Sequence, residues 1–228
     1  RAKARNLLGV ETPETALIST YTLAVATLPN GGTALFSSVF MSSLTVNWSS
    51  GTDAGGYNGP GATYLLQAST MSTFIPVDES SQTVNISATL TGLDFANATY
   101  YFRIQAKNAV NVTDYSWFTL GSTSTLAVMP GSPVGSTYTA VSAQELTLNW
   151  SSGTAAGGFN AADTRYRAQA STDNFGLVAV STEVVSLSAA LQGLKPNTTY
   201  YARASAFNRL GLETAFTGFG STVTLASE

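Results

Sequence analysis

The sequence contains no cysteine and no histidine, and only 10% of its 228 residues are charged. Without cysteine no disulfide can form, and the two side chains that most often bind zinc are both missing. Without histidine, the commonest general acid and base of enzymes is absent as well. These absences exclude disulfide-stapled folds, zinc sites of the usual ligand types and catalysis by histidine.

The charges that are present are few and dispersed. The net charge is −3, and the Lys and Arg residues form no cluster, whereas nucleic-acid binding depends on a basic surface. No apolar run approaches the roughly 18 residues that a membrane-spanning helix needs. We therefore expect no nucleic-acid partner and no insertion into a membrane.

Residues that could carry catalysis or hold a cofactor are scattered. The only adjacent carboxylates are those of Asp78 and Glu79, and a calcium site needs several oxygen ligands at regular spacing. No serine lies in a Gly-x-Ser-x-Gly motif, where α/β-hydrolases place their nucleophile. The sequence thus predicts that the protein is not an enzyme, has no cofactor and binds no metal, with Asp78 and Glu79 in a hydrated turn.

The most informative feature of the sequence is an internal repeat. The segment 44–52, LTVNWSSGT, returns as LTLNWSSGT at 146–154, which is 102 positions later, whereas Tyr100 returns as Tyr200 after 100 positions. Strands that keep their register while loops gain or lose a residue are typical of homologous domains. The sequence therefore predicts two complete repeats, residues 25–127 and residues 128–228.

The first 24 residues resemble the end of a further repeat. Arg1–Asn6 and Arg203–Asn208 share the pattern Arg-Ala-x-Ala-x-Asn, and strands are predicted at Arg1–Asn6 and Ala16–Leu23. An isolated two-stranded hairpin is only marginally stable in water. We therefore expect residues 1–24 to be the last strand pair of a preceding repeat, either in a longer repeat protein or completed by another copy in an assembly.

One strand of each repeat shows the clearest pattern. From Tyr200 to Ala206 the even-numbered residues are apolar and the odd-numbered ones are mostly polar, which is the period of a half-buried strand. Each repeat contains about seven short strands separated by turn signals, a pattern that predicts an all-β sandwich. The side chains expected in its core are Trp48, Tyr100, Trp150 and Tyr200.

Taken together, these motifs resemble the fibronectin type III domain over essentially the whole chain. The matching features are the tryptophan strand, the corner that runs from a leucine to a tyrosine, and the strand ending Tyr-x-x-Arg-x-x-Ala-x-Asn. The resemblance implies tandem seven-stranded fibronectin type III-like sandwiches that serve as spacer or binding modules. The first repeat departs at the corner, where Phe95 stands in place of proline and one residue is added before Tyr100, so we expect a looser turn there.

The candidate functional residues are aromatic. Tyr57 and Phe159 occupy equivalent positions in the glycine-rich loop that follows each tryptophan strand. Each could stack on a sugar or pack against a neighbouring repeat, and packing is favoured because aromatic residues are enriched in interfaces. Glycans are a further candidate partner, since Asn-x-Ser/Thr sequences occur along the chain, although such matches arise by chance in a composition this rich in Asn, Ser and Thr.

Arginine recurs at one position of the outward strand face, as Arg1, Arg103 and Arg203. Two interpretations are open for these side chains, pairing across the sheet and ligand binding. Pairing is favoured, because side chains directly opposite on neighbouring strands interact.

Two functions from different classes fit the sequence. The first is a non-catalytic structural or adhesive segment of an extracellular repeat protein, in a surface array or filament whose partners are other copies or adjacent repeats. The alternative is a set of spacer or accessory modules in a large secreted carbohydrate-active enzyme. The composition indicates an extracellular or cell-surface location. The first function is favoured, because head-to-tail completion of a hairpin would generate an open fibre.

Overall fold

The computed structural model of the chain describes residues 1–17, 19–113 and 116–228, and its regular elements are β-strands. These residues contain no helix long and apolar enough to cross a membrane. Residues 25–127, called repeat 1 below, contain β1 (Phe36–Ser37), β2 (Ser43–Asn47), β3 (Gly51–Thr52), β4 (Gly56–Tyr57), β5 (Thr63–Ser69), β6 (Glu79–Thr83), β7 (Ser87–Thr91), β8 (Thr99–Lys107) and β9 (Phe118–Ser124). Residues 128–228, called repeat 2, contain β10 (Tyr138–Thr139), β11 (Glu145–Asn149), β12 (Gly153–Thr154), β13 (Gly158–Phe159), β14 (Arg165–Ser171), β15 (Val180–Val184), β16 (Ser188–Gln192), β17 (Thr199–Phe207) and β18 (Thr217–Val223).

Both repeats arrange these strands in the same way. A three-stranded sheet has the order β1-β2-β7 in repeat 1 and β10-β11-β16 in repeat 2. A four-stranded sheet has the order β6-β5-β8-β9 or β15-β14-β17-β18, and each glycine-rich loop adds a small hairpin, β3-β4 or β12-β13. All neighbouring strands are antiparallel. The expected all-β fold of tandem seven-stranded sandwiches is confirmed.

Each sandwich has its own apolar core between the two sheets. Burial alternates along the central strands, as the period of two requires. The Trp48 indole lies 5.6 Å from the Tyr64 ring, and the Trp150 indole lies 5.6 Å from the Tyr166 ring, both in tilted contacts that are favourable for aromatic pairs. The four side chains named from the sequence are at most 3% exposed: Trp48, Tyr100, Trp150 and Tyr200.

The corner before β8 and β17 has the same hydrogen bond in both repeats. The Phe95 N–H donates to the Tyr100 hydroxyl at 3.2 Å, and the Lys195 N–H donates to the Tyr200 hydroxyl at 3.0 Å. This register makes Phe95 the counterpart of Lys195 and Ala96 the counterpart of Pro196. The expectation that Phe95 replaces the proline is therefore wrong, because the added residue lies before Phe95 and leaves the corner itself unchanged.

The position of Tyr138 in β10 predicts that the stability of repeat 2 falls in alkali. Its hydroxyl donates to the Gly220 carbonyl at 2.9 Å, and burial raises the pKa of Tyr138 from 10.0 to about 12. Folding therefore favours the neutral phenol, so this contribution to stability is complete below pH 10 and is lost as the pH rises towards 12. Phe36 occupies the equivalent position in repeat 1 and has no ionisable group.

We therefore expect a Tyr138→Phe substitution to flatten the pH dependence of unfolding of repeat 2 between pH 10 and 12. Denaturant unfolding followed at several pH values measures this, with repeat 1 as the internal reference. An unchanged pH slope in the variant would contradict the assignment.

Residues 1–23 form a turn with flanking arms that lie outside both sandwiches. Arg5 and Glu11 form an isolated antiparallel bridge, so the strands predicted at Arg1–Asn6 and Ala16–Leu23 are not formed as regular strands. The Thr22 carbonyl accepts a hydrogen bond from Asn108 Nδ2 at 3.2 Å, which connects this segment to repeat 1. Ile18 lies outside the described residues.

Candidate functional site

The connection between the two repeats is held by hydrogen bonds on both sides. On the side of repeat 1, the Leu126 carbonyl accepts a hydrogen bond from the Asn97 N–H at 3.0 Å. Two residues later, the Val128 N–H donates to Asn160 Oδ1 at 2.8 Å, and Asn160 Nδ2 donates back to the Val128 carbonyl at 2.9 Å. A single residue, Ala127, separates the two attachments, so the chain contains no free linker here.

Asn97 is the central residue of the interface between the repeats. It lies at the tyrosine corner with a φ of 54° and is 1% exposed. Its Nδ2 donates to Thr164 Oγ1 at 2.9 Å and to the Phe207 carbonyl at 3.2 Å. Its Oδ1 accepts from the Arg209 N–H at 2.7 Å, and Arg209 Nε donates to the Asn97 carbonyl at 3.1 Å. One asparagine thus uses its side-chain amide and its backbone carbonyl to bind three residues of repeat 2.

A short parallel bridge extends the same interface. The Ala96 N–H donates to the Phe159 carbonyl at 3.2 Å, and the Ala161 N–H donates to the Ala96 carbonyl at 2.8 Å. Ala96 and Asn160 are the bridged pair. Backbone pairing of this kind fixes direction as well as distance, so the corner of repeat 1 and the glycine-rich loop of repeat 2 are held in one orientation.

Beside this interface lies a cleft of about 560 Å³ with walls from both repeats. Phe95 of repeat 1 and Phe159 of repeat 2 are each about half exposed there, and Asp163 and Arg209 also line the cleft. Clefts at domain interfaces are common places for ligands. The lining offers apolar contact from the phenylalanines and charged or hydrogen-bonding groups from Asp163 and Arg209. The described residues contain no group of three or more His, Cys, Asp or Glu side chains that could hold a metal ion.

The two aromatic residues singled out from the sequence have different surroundings. Phe159 lines the cleft, and its carbonyl accepts the hydrogen bond from Ala96. Tyr57 lies at the opposite end of repeat 1, where its hydroxyl donates to Asp53 Oδ1 at 2.6 Å and accepts from Asn30 Nδ2 at 3.0 Å. The hydrogen bond to Asp53 raises the pKa of Tyr57. Only Phe159 contacts the neighbouring repeat, and an interface role for the Tyr57 ring stays a prediction.

Of the three recurring arginines, Arg103 and Arg203 lie between two aromatic rings on the outer sheet face, whereas Arg1 forms an exposed ion pair with Glu14. The guanidinium of Arg203 lies 4.0 Å from the ring centroids of both Phe175 and Phe216, an arrangement with favourable cation–π geometry. Its Nε donates to Gln169 Oε1 on the adjacent strand at 2.9 Å. Arg103 is enclosed in the same way in repeat 1. Both guanidinium groups are therefore engaged with neighbouring side chains of their own sheet.

The sequence analysis named none of Asn97, Asn160 and Arg209 as interface residues. Asn97 and Asn197 each lie three residues before a corner tyrosine and have the same left-handed backbone, with φ values of 54° and 47°. Their surroundings differ because repeat 2 covers Asn97, whereas Asn197 is exposed.

Strand order and corner together define the class: the chain consists of tandem fibronectin type III-like sandwiches. No protein-family model matches the chain, and no curated protein sequence does. Among solved structures, it is similar to a two-domain fibronectin type III segment of chicken tenascin, at 16% identity over 83% of this chain and 96% of that one, with a TM-score of 0.48. It is also similar to the FN1–FN3 domains of chicken CNTN1, at 17% identity over 87% of this chain and 68% of that one, with a TM-score of 0.33. The assignment of the fold depends on the order of the strands in the two sheets and on the tyrosine corner, not on these structural similarities.

Proposed function

We propose that this chain is a non-catalytic structural or adhesive segment of an extracellular repeat protein and forms part of a surface array or filament. The observation that supports this most is the junction between the repeats. Flexible Gly/Ser linkers leave neighbouring domains free to reorient, whereas here Ala96 and Asn97 hydrogen-bond directly to repeat 2. Sandwiches joined in this way keep a defined orientation relative to one another and transmit force along the chain.

The roles of the recurring side chains support the same proposal. The side chains that recur in both repeats serve packing: the buried tryptophans, the corner tyrosines and the sandwiched arginines. The cleft beside the junction offers half-exposed phenylalanines rather than paired acid and base groups. Adhesion through such a cleft needs no catalytic residue. The alternative is a set of spacer modules in a secreted carbohydrate-active enzyme. It would use the same junction, but the repeats would then separate the domains of an enzyme instead of forming an array or filament.

Localisation in the source cells tests the proposal. An antibody raised against the purified chain is used for immunogold electron microscopy of intact cells and of the culture medium, with antibody pre-absorbed on the chain as the control. We expect label on surface structures or extracellular filaments. Label confined to the cell interior would contradict the proposal. Recovery of the antigen on one polypeptide with a glycoside hydrolase, identified by mass spectrometry of its peptides, would favour the alternative.

A further inference from the structure

The cleft beside the junction has an apolar part whose aromatic rings are left partly open. Phe95 and Phe159 lie on different repeats, both line the cleft, and they are 50% and 49% exposed. The hydrogen bonds of the fold use only the main chain of these two residues. The Phe95 carbonyl accepts from Thr125 Oγ1 at 3.0 Å, and the Phe159 carbonyl accepts from the Ala96 N–H. Both rings are therefore available to a ligand, at a place that needs both repeats.

The polar part of the cleft contains two charged side chains of opposite sign, those of Asp163 and Arg209. Among the described residues, neither of them belongs to an ion pair. Arg209 donates from Nε and Nη2 to the carbonyls of Asn97 and Ala162, whereas its Nη1 and the Asp163 carboxylate have no partner in the described part of the chain. A carboxylate only accepts hydrogen bonds and a guanidinium only donates them. The cleft thus combines a free acceptor and a free donor.

These two parts together define the chemistry of a matching ligand. The ligand must donate and accept hydrogen bonds along one edge, and it must present an apolar face to aromatic rings. A sugar ring meets both requirements, because each hydroxyl donates and accepts and because its C–H groups can lie against the electron-rich face of an aromatic ring. The opposite signs of Asp163 and Arg209 favour a ligand without net charge, since a charged one would meet repulsion from one of them.

We propose that the cleft between the repeats binds a neutral oligosaccharide. Its C–H face lies against Phe95 and Phe159, and its hydroxyl groups bond to Asp163 and Arg209. The cleft volume of about 560 Å³ is within the range of sites that hold small molecules. This inference rests on the adhesive role proposed above, and it names the ligand class and the residues of that role.

A peptide matches this cleft less well than a sugar does. Extended peptides often bind by adding a strand to a free sheet edge, but the main-chain groups beside this cleft are already paired. Ala96 uses its N–H and its carbonyl in the bridge to repeat 2. Tyr101, which also lines the cleft, lies in the central strand β8 and has paired neighbours on both sides. Recognition at the cleft therefore depends on side chains rather than on a strand edge.

Because the walls of the cleft come from different repeats, binding depends on their relative orientation. Asn97 holds that orientation through its bonds to repeat 2 and is not among the residues that line the cleft. We therefore expect Asn97→Ala to weaken binding of the oligosaccharide roughly tenfold or more, although every lining side chain is still present. Asn197→Ala changes the exposed equivalent in repeat 2 and should leave the affinity unchanged.

Titration of the purified full chain, followed by nuclear magnetic resonance of its amide groups, tests the proposal. The probes are neutral trisaccharides (cellotriose, maltotriose, mannotriose and chitotriose), with sialyllactose as an acidic trisaccharide and a short capped phenylalanine peptide as comparisons. We expect at least one neutral trisaccharide to shift the amide signals of Tyr101, Ala161 and Ala162, which line the cleft. The proposal is overturned if no neutral trisaccharide shifts these signals, or if only the acidic sugar or only the peptide does.

Variants with matched controls assign the binding to the cleft. Phe159→Ala should weaken binding roughly tenfold or more, whereas Tyr57→Ala, at the equivalent loop position of repeat 1, should not change it. Asp163 has a left-handed backbone with a φ of 63°, which asparagine adopts readily, so Asp163→Asn removes the charge without straining the loop and should also weaken binding. Unchanged affinity in both Phe159→Ala and Asp163→Asn would overturn the proposal.

The titration and the localisation experiment fail independently. The titration uses the purified chain, so a label confined to the cell interior would contradict the proposed function and leave the sugar-binding result as measured. Conversely, absence of sugar binding together with label on surface filaments would overturn the ligand assignment and leave the structural role in an array or filament in place.

Discussion

Replacing Trp150 by alanine is expected to lower the free energy of unfolding of repeat 2 by roughly 3–5 kcal/mol. The indole is 3% exposed and contacts the Tyr166 ring, so truncation removes a large buried surface and leaves a cavity between the sheets. Because small domains are stable by only about 5–15 kcal/mol, this loss is a large fraction of the total. Denaturant unfolding followed by circular dichroism, with separate transitions fitted for the two repeats, measures it.

Trp150→Phe is the matched control for this prediction. The indole Nε1 is buried and has no hydrogen-bond partner within the described part of the chain. Replacement by phenylalanine therefore removes volume without breaking a hydrogen bond, and it should cost clearly less than the change to alanine. Equal losses for the two variants would show that the cavity does not determine the effect. Trp48 offers the same pair of substitutions in repeat 1, where its Nε1 is likewise unpartnered among the described residues.

Replacing Asn97 by alanine is expected to release the two repeats from their fixed orientation. The change removes the hydrogen bonds of the side chain to Thr164, Phe207 and Arg209. Groups left buried without a partner cost about 1–3 kcal/mol each, so we expect docking of the repeats to weaken by roughly 2–4 kcal/mol. Residual dipolar couplings or solution scattering should then show variable orientation between repeats that were aligned in the unsubstituted chain.

Asn197→Ala is the matched control that the chain itself provides. Both asparagines adopt a left-handed backbone, which disfavours alanine by about 1–2 kcal/mol at either position. Both also donate from the backbone N–H to the carbonyl of the leucine two residues after the last strand, Leu126 or Leu225. Asn97 is 1% exposed beneath repeat 2, whereas Asn197 is exposed. If the two variants change the orientation of the repeats equally, the side chain of Asn97 does not hold the junction.

The sequence predicted in detail those parts of the fold that follow from alternation along single strands or from the internal repeat. Alternation along β8 and β17 sets which side chains face the core, because successive residues of a strand point to opposite faces. The sequence placed Trp48, Tyr100, Trp150 and Tyr200 in the core, since a repeat that recurs after about 100 residues marks equivalent places, and all four are at most 3% exposed. The prediction of regular strands at Arg1–Asn6 and Ala16–Leu23 was wrong for the described residues, where Arg5 and Glu11 form only an isolated bridge and no ladder of consecutive pairs.

What the sequence by itself determined is therefore the sandwich, its duplication and its core. Only the tertiary structure determined the orientation of one repeat relative to the next. That orientation depends on the hydrogen bond from the Arg209 N–H to Asn97 Oδ1, two residues that are 112 positions apart in the sequence. Asn97 and Asn197 have the same backbone conformation, so local pattern assigns them the same role. Repeat 2 covers Asn97 through hydrogen bonds from distant loops. A contact between distant loops depends on the shape of two folded domains rather than on any periodicity along the chain.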